Sequence, residues 1–284
     1  MSNLQLKTNY EDMVRNAIDS GVEYFSNNPG LKAMIIGVSG GIDSALTATI
    51  GRRVCDILGD VKLHGFFLPM SGNKKDEQDR ALEVGAAVCH CFREVPHLDK
   101  AFAELLDVVD PGLYTKTIVT PGEITIEEKV RMGNIKARIR MIYLYNQARK
   151  HSGLVLSTDN YTEYNLGFWS LNGDTGNLGL IQELWKTEIY GIAESIGGPL
   201  GSSIKAKPTD GLGITNCDLD QLLPGWEGSY RDGYREVDNV LIDYLEGNRS
   251  YGPKHPVVKR HLDTEFKRKD PVNIKRDILL WSKG

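Results

Sequence analysis

The stretch that decides the fold runs from Ile35 to Ala48 and reads IIGVSGGIDSALTA. A short apolar run enters Ser39-Gly40-Gly41, Asp43 follows two residues later, and helical periodicity begins at Ser44. A glycine-rich turn between a parallel strand and a helix directs backbone N–H groups and the positive helix end at one point. The stretch therefore predicts a receptor for phosphate. The structural alternative for a Ser-Gly-Gly sequence is a tight turn with a capping aspartate.

The side chains of this stretch refine the prediction. Its spacing matches neither GxxxxGK[ST] nor GxGxxG, so it is not a Walker loop or a dinucleotide fingerprint. The hydroxyls of Ser39 and Ser44 can donate to pyrophosphate oxygens, whereas Asp43 would repel phosphate unless a divalent cation lay between them. Magnesium, held by one or two carboxylates and by phosphate oxygens, satisfies both groups.

Strand-like and helix-like segments alternate along the chain. Because strands that alternate with helices form a parallel sheet covered on both faces, the pattern predicts an α/β fold with a doubly wound parallel sheet. A segment with prolines and glycines at 111–122 is predicted as an excursion from the sheet, and 171–179 as a glycine-rich loop. No internal repeat or linker is evident, so a single domain over 1–284 is expected. Strands are predicted near 32–38, 62–68, 88–95 and 154–157, and helices near 10–25, 44–58, 76–87, 101–109, 127–151, 186–196 and 231–246.

Composition limits the class of protein. A chain of 284 residues with 40% hydrophobic and 25% charged residues is typical of a globular protein. The net charge of −4 argues against a nucleic-acid-binding surface. The chain shows no long apolar stretch and no signal-peptide core near its amino terminus, so we expect a cytoplasmic protein with no membrane association. Four cysteines suit a reducing compartment.

The sequence Cys89-His90-Cys91, with His97 nearby, raises the possibility of a zinc site. No second closely spaced cysteine pair accompanies it. Partly buried thiols are the favoured interpretation.

The SGGxDS sequence resembles the pyrophosphate loop of the N-type ATP pyrophosphatases, which split ATP into AMP and pyrophosphate and share an adenine nucleotide alpha hydrolase-like fold. Four further stretches, in order and at similar spacing, resemble ammonia-dependent NAD synthetases. They are Phe67-Leu68-Pro69-Met70 with the acidic helix start at 75–79, the NIKARIRM helix at 134–141, the STDNYTE segment at 157–163 continuing through Gly167-Phe168 to Gly173-Asp174, and the KAKPTDGL loop at 205–212.

The resemblance implies a reaction and a set of roles. Deamido-NAD would be adenylated by ATP and then amidated by ammonia to NAD, with AMP and pyrophosphate released. The enzyme would be a homodimer without a glutaminase domain. Asp43, Lys186 and Thr209 would be catalytic, and Asp43 and Glu163 would hold magnesium. The implied ATP-binding residues are Gly37, Ser39, Gly40, Gly41, Asp43, Ser44, Met70, Thr158, Lys186 and Thr209, and the implied deamido-NAD-binding residues are Arg138, Asp174, Asn177 and Lys267.

The chain departs from the resembled family in the part that would bind the dinucleotide. Ser170 and Leu171 stand where those enzymes have Thr-Lys, Asn177 stands in place of an aspartate, and Phe266-Lys267 replaces His-Lys. Two alternatives follow: a related ATP pyrophosphatase that amidates a different carboxylate, or a nucleotide-binding sensor without catalysis. A tRNA-thiolating enzyme would carry cysteine pairs and a basic surface. A GMP synthetase would carry a long dimerisation domain.

Overall fold

A parallel sheet of five strands forms the centre of the computed structural model, which describes residues 3–209, 217–269 and 273–276. The strand order across the sheet is β3-β2-β1-β4-β5, and every pairing is parallel. The strands are β1 (Ala33–Gly37), β2 (Lys62–Phe67), β3 (Cys91–Glu94), β4 (Gly153–Ser157) and β5 (Leu178–Gly179).

Helices connect and cover the strands. Short 3-10 turns lie at Pro121–Glu123, Gly198–Leu200 and Glu265–Lys269. The α-helices within the described residues are α1 (Tyr10–Ser26), α2 (Ile42–Leu58), α3 (Lys75–Val88), α4 (Leu98–Val109), α5 (Pro111–Val119), α6 (Ile126–Lys150), α7 (Tyr161–Leu166), α8 (Lys186–Ile196), α9 (Gly201–Ile204), α10 (Leu219–Leu222), α11 (Tyr230–Leu245) and α12 (Pro256–Asp263).

The central strand β1 separates two apolar cores. Met34 and Ile36 pack with residues of α1, α2, α8 and α11 on one face of the sheet. Ala33 and Ile35 pack with residues of α4 and α6 on the other face. Because successive side chains of a strand point to opposite faces, a strand buried on both faces is apolar throughout, as β1 is. The predicted doubly wound sheet is confirmed.

Most predicted elements agree with the structure to within a few residues, with two differences. The segment at 111–122 was expected only as an excursion, but most of it forms α5, because Pro111 stands at the helix start and the Asp110 side chain accepts from the Leu113 backbone N–H at 3.1 Å. Strand β3 is shorter than predicted, because α3 extends to Val88 before the chain turns. Helices α7, α9, α10 and α12 and the strand β5 were not predicted.

The amino-acid sequence indicates little or nothing of two features, membrane-spanning helices and metal-binding clusters. Within 3–209, 217–269 and 273–276, no helix is long and apolar enough to cross a membrane. In the same ranges, no group of three or more His, Cys, Asp or Glu side chains is arranged to hold a metal ion, so the zinc alternative at Cys89-His90-Cys91 finds no support.

The order of the strands predicts where a ligand binds. The chain runs from β1 to β2 and β3 on one side, and then returns to β4 and β5 on the other side of β1. The loops after β1 and β4 therefore diverge at the carboxyl ends of the strands and leave a crevice, which is the usual ligand site of such sheets. The Ser39-Gly40-Gly41 loop follows β1 at this point.

Candidate active site

The loop after β1 requires glycine at one position. Gly40 has φ of +85°, and a Cβ atom built there would lie 2.4 Å from the carbonyl oxygen of Glu77 on α3. The left-handed conformation and the close approach of α3 both exclude a larger side chain. Gly41 then occupies the N-cap of α2. The predicted strand, glycine turn and helix unit is confirmed.

Two serines and the backbone form the interior of this loop. The Ser39 backbone N–H donates to Ser44 Oγ at 3.2 Å, and the two hydroxyl oxygens lie 3.0 Å apart. From outside the loop, Arg80 Nε and Ser203 Oγ both donate to the Gly40 carbonyl oxygen at 3.2 Å. The Gly40 carbonyl is therefore held by two side chains from outside the loop. Hydroxyl and N–H groups beside the start of α2 are groups that bind an anion.

A cavity of about 300 Å³ opens in front of this loop, between the ends of β1 and β4 and helices α6 and α8. Gly40 and Ser44 support the loop without lining the cavity, and Met70 is buried in the core beside α6. Nine residues of the sequence prediction line the cavity, which are Gly37, Ser39, Gly41, Asp43, Thr158, Glu163, Asp174, Lys186 and Thr209.

Lys186 forms the electrostatic centre of the cavity. Its ammonium group donates to the carboxylate of Asp43 and to Glu163 Oε1, the latter at 3.0 Å, and its side chain is only 4% exposed. Burial lowers the pKa of Lys186, but the carboxylates of Asp43 and Glu163 outweigh it and raise the pKa well above its ordinary value. Lys186 therefore stays a cation beside Asp43 and Glu163, and burial raises the pKa of Glu163 to about 8 although the Lys186 ammonium acts to lower it.

Asn160 connects these groups to the backbone. Its side-chain oxygen accepts from the Glu163 N–H at 3.0 Å, which makes it the N-cap of α7, and its side-chain nitrogen donates to Asp43 Oδ1 at 2.9 Å. One fully buried amide thus sets both the start of α7 and the orientation of Asp43. Sequence reasoning missed Asn160, although the pattern Asn-x-x-Glu is a helix-start signal.

The donor set fits magnesium only in part. Asp43 and Glu163 direct carboxylate oxygens toward the same point, and oxygen is the ligand that magnesium prefers. The Lys186 ammonium lies between these two carboxylates. The described residues supply two carboxylates rather than a complete metal cage. These residues would therefore hold magnesium together with phosphate oxygens, which is the usual arrangement for a metal bound with a nucleotide.

A second cavity of about 630 Å³ adjoins the first, and Met141 of α6 lines both. Its wall includes the stacked rings of Tyr164 and Trp169, whose centroids lie 5.6 Å apart. Lys267 Nζ lies 5.5 Å from the centre of the Trp169 ring. Flat aromatic surfaces beside cations suit an aromatic ligand that carries negative charge.

The predicted deamido-NAD residues fall into two groups. Lys267 lines the second cavity and donates to the carbonyl oxygens of Gly167 and Trp169, both at 2.6 Å, and Asp174 lines the first cavity. Arg138 and Asn177 line neither cavity.

Both outlying residues make backbone contacts. Arg138 is exposed and donates to the Leu171 carbonyl at 2.8 Å. The Asn177 side-chain oxygen accepts from the Val155 backbone N–H at 3.1 Å. The Asn177 backbone N–H donates to the Val155 carbonyl at 2.7 Å. Asn177 therefore extends the pairing of β4 with β5.

Two further carboxylates lie where the cavities meet. Asp159 lines the second cavity and accepts from Ser157 Oγ at 3.0 Å, while Asp174 accepts from the Ser170 N–H at 2.9 Å. Burial raises the pKa of Asp159 to about 6 and that of Asp174 to about 7. Carboxylates with such pKa values can exchange protons near neutral pH.

Other polar residues of the first cavity were not predicted. Arg140 Nε donates to the Leu68 carbonyl, and its terminal nitrogen donates to Asn73 Oδ1, both at 3.1 Å. Thr209 Oγ1 donates to Glu77 Oε1 at 3.0 Å. Arg140 lies two residues after Arg138, so the helical repeat could have indicated that only one of the two arginines faces the crevice.

Known proteins resemble this chain in sequence. A sequence model of the NAD synthase family matches residues 14–271. The NH(3)-dependent NAD(+) synthetase of Finegoldia magna is 31% identical over 240 residues, which cover 84% of this chain and 86% of that protein.

Solved structures match the fold. An NMN synthetase from Francisella tularensis superimposes with a TM-score of 0.72 at 22% identity, covering 95% of this chain and 100% of the other. An NH3-dependent NAD synthetase from Campylobacter jejuni gives a TM-score of 0.69 at 22% identity, with the same coverage.

Proposed function

The chain belongs to the NAD synthase family, and we propose that it catalyses the ATP-dependent amidation of deamido-NAD with ammonia. The products would be NAD, AMP and pyrophosphate. The observation that carries the proposal is the junction of two cavities at Met141. One cavity contains the anion-binding loop with Lys186, Asp43 and Glu163, and the other has aromatic walls and Lys267.

The first cavity suits ATP. The triphosphate would lie against Ser39 and Gly41, at the start of α2, and would replace Ser44 Oγ and Ser39 Oγ as the acceptors of their backbone N–H groups. Lys186 would neutralise charge on the departing pyrophosphate, and Thr209 would donate to it after release from Glu77. Gly37 and Thr158 line the same cavity and would contact the rest of the nucleotide.

Asp43 and Glu163 would hold magnesium together with the phosphates. When bound, the ion would supply charge neutralisation on the triphosphate. Before that, the carboxylates are held by Lys186 and by Asn160. The chain itself keeps the carboxylates of Asp43 and Glu163 oriented beside the loop after β1.

The second cavity suits the acceptor. The nicotinate carboxylate of deamido-NAD would attack the α-phosphate of ATP, which gives an adenylate and pyrophosphate. Ammonia would then attack the activated carbonyl and release AMP, because AMP is a far better leaving group than oxide. Catalysis in this scheme rests mainly on positioning and electrostatic stabilisation.

Asp174 lines the first cavity and Asp159 the second, so ammonia that enters between the two cavities would pass these carboxylates. Ammonium is the main form of the nitrogen donor near neutral pH, and it cannot act as a nucleophile. A carboxylate with a pKa of about 7, such as Asp174, could bind ammonium and accept its proton. We assign this role to Asp174, with Asp159 adding negative charge nearby.

Pyrophosphate release tests the proposal. The purified chain would be assayed with Mg-ATP and ammonia, and with deamido-NAD or the deamidated mononucleotide as the acceptor. We expect release that requires acceptor and ammonia, and NAD as a product by mass spectrometry. ATP binding without turnover on either acceptor would favour the nucleotide-binding sensor. If the chain prefers the deamidated mononucleotide, the proposed amidation is correct but the proposed acceptor is wrong.

We also propose that the chain acts as a homodimer through the surface of α4, α5 and α6. This surface exposes a series of large apolar side chains, and exposed patches of this kind mark interaction sites. Ile142 lies one helical turn after Arg138, so the two share a face of α6. The exposed side chains are Leu105, Val108, Val109, Ile118, Val119, Ile126, Val130, Ile142 and Tyr145.

Analytical ultracentrifugation tests this assembly. Ile142→Asp should convert a dimer into monomers, because a buried carboxylate without a partner opposes association. Ile57→Asp is the matched control, because Ile57 is 62% exposed on α2, whereas Ile142 is 67% exposed on α6. A wild-type monomer with full activity would refute the dimer.

We propose that the chain works as one synthetase unit in the cytoplasm. All four cysteines are free thiols, which fits a reducing compartment.

A further inference from the structure

A buried carboxylate outside both cavities joins the two helices that carry the catalytic ion pair. Asp238 lies on α11, is 0% exposed and lines neither cavity. Its Oδ1 accepts from Thr162 Oγ1 at 2.6 Å. Its Oδ2 accepts from the Thr187 N–H at 2.9 Å and from Thr187 Oγ1 at 2.6 Å. Both oxygens are therefore engaged by α7 and α8.

The partners of Asp238 are the immediate neighbours of cavity residues. Thr162 precedes Glu163 in the first turn of α7, and Thr187 follows Lys186 in the first turn of α8. Successive residues of a helix point about 100° apart, so one can face the core while the next faces the cavity. Each threonine thus fixes the helix turn from which a cavity side chain extends.

Thr162 adds a direct link between the helices. Its hydroxyl donates to Asp238 and accepts from the backbone N–H of Lys186 at 2.8 Å. The path runs from Asp238 through Thr162 to the backbone of Lys186. The Lys186 side chain then returns to Glu163 on α7 at 3.0 Å. The two helix starts are therefore tied on the core side by Asp238 and on the cavity side by the ion pair.

We propose that Asp238 is a positioning residue, which sets the distance and orientation of Lys186 relative to Glu163 by holding the first turns of α7 and α8 together. The inference rests on the proposed function for its kinetic consequences. The proposed arrangement of α7 and α8 does not depend on which acceptor is the substrate. A carboxylate is suited to this position because all three facing groups donate, and an amide offers only one acceptor oxygen.

The first test is Asp238→Asn, which keeps the shape and removes one acceptor. Its remaining oxygen can still meet the fixed N–H of Thr187, but its amide group cannot accept from Thr162. We expect the affinity for Mg-ATP and the kcat for pyrophosphate release each to fall by about tenfold or more, because small displacements of catalytic groups are costly. Amide hydrogen exchange at Lys186, whose N–H donates to Thr162 Oγ1, should become about tenfold faster.

Val240→Ala is the matched control for general destabilisation. Val240 is also fully buried on α11, two residues from Asp238 and so about 200° around the helix. This variant should lower the melting temperature without changing the affinity for Mg-ATP or the exchange at Lys186. Asp238→Asn with kinetics, ATP affinity and exchange like those of Val240→Ala would overturn the proposal.

Thr162 provides a second route if Asp238→Asn does not fold. Thr162→Val should reproduce the loss of ATP affinity, and Thr162→Ser, which keeps the hydroxyl, should restore it. In a double-mutant cycle, Thr162→Val and Asp238→Asn should be strongly non-additive because they share one contact. Equal behaviour of Thr162→Val and Thr162→Ser would refute the link.

Different results would refute the proposed function and the positioning role of Asp238. If the wild type binds Mg-ATP but releases no pyrophosphate with either acceptor, the proposed function is wrong. ATP affinity and amide exchange in the Asp238 and Thr162 variants then still decide the positioning role.

Discussion

The two cavities that meet at Met141 are built in different ways. Around the first cavity, which we propose binds ATP, the candidate groups come from loops and helix starts at the ends of β1 and β4, and hydrogen bonds between partly buried side chains hold them. Asn160 orients Asp43, and Lys186 pairs with two carboxylates. Around the second cavity, which we propose as the acceptor region, the groups come from α6, the loop at 171–176 and residues 267–268, and several contacts involve backbone carbonyls.

The difference between the two cavities follows from the ligands that we propose for them. If the first cavity binds ATP as we propose, it meets the same phosphates in every turnover, so a rigid set of charges suffices. The acceptor region adjoins the exposed apolar surface of α6, where we propose that a second subunit packs. Arg138 and Tyr145 both contact the loop at 171–176 from this helix, at the Leu171 and Thr175 carbonyls. Assembly and acceptor binding would therefore share one element.

The largest effect should come from the ATP side. Asp43→Asn removes one carboxylate from Lys186 and one proposed magnesium ligand. We expect pyrophosphate release to fall by about 10²–10³-fold, because charge stabilisation at the transferring group is lost. The measurement is the rate as a function of magnesium concentration.

Asp56→Asn is the control for this variant, because Asp56 is an exposed carboxylate of the same helix, α2. It should leave the rate unchanged. Near-normal turnover of Asp43→Asn at limiting magnesium would remove Asp43 from the site.

A smaller and more selective effect is expected at Arg138. Arg138→Ala removes the contact that holds the Leu171 carbonyl. The Michaelis constant for deamido-NAD should rise by about tenfold, because one charged hydrogen bond contributes about 1.5–3 kcal/mol. The Michaelis constant for ATP should stay the same.

Arg149→Ala tests whether charge alone matters, because Arg149 is exposed near the end of the same helix. It should behave like the wild type. An equal change in both Michaelis constants for Arg138→Ala would contradict the division into two regions.

The pH dependence of stability should show the cost of a buried carboxylate at the junction. The pKa of Asp174 is raised from 3.8 to about 7, chiefly by burial. Between these pH values the folded protein keeps a proton that the unfolded chain has lost, so this group's contribution to stability falls as pH rises. Asp174→Asn should therefore melt at about the same temperature as the wild type near pH 4, and about 5 °C higher above pH 7.

Thermal melts between pH 4 and pH 8 measure this difference, and pyrophosphate assays measure its functional consequence. Activity of Asp174→Asn should fall even where its stability rises. A melting difference that does not vary with pH would mean that Asp174 is not the titrating group.

The smallest effect is expected at Leu171. Leu171→Lys restores the charge that the resembled family carries, but Lys267 and Arg268 already line the same cavity. The Michaelis constant for deamido-NAD should change by less than about fivefold, as for an exposed ion pair. Leu171→Met is the control for side-chain length. A large gain with lysine alone would show that the acceptor region lacks a cation.

Sequence reasoning succeeded where short-range rules apply. The order of strands and helices follows from apolar periodicity, and Gly40 follows from a turn that only glycine can form. The family resemblance assigned Asp43 and Thr158 to one site, and both line the first cavity because the parallel strands β1 and β4 end at the same edge of the sheet.

The remaining part depends on contacts that no local pattern encodes. Arg138 and Arg140 stand in one motif, yet only Arg140 reaches the first cavity, because the orientation of α6 is set by packing against β1 and β4. Met70 stands in another motif and is buried in the core. Asp238 bonds to Thr162, 76 positions earlier in the chain, and nothing in its neighbourhood indicates a polar role.

The lysine between Asp43 and Glu163 also bears on how the protein exists between turnovers. Two neighbouring carboxylates without a cation would repel each other and strain the surrounding helices. Since Lys186 is part of the chain, that cation is present from the moment of folding. The empty enzyme should therefore tolerate chelators without loss of melting temperature. Its activity would depend on metal only because the nucleotide binds together with the metal ion.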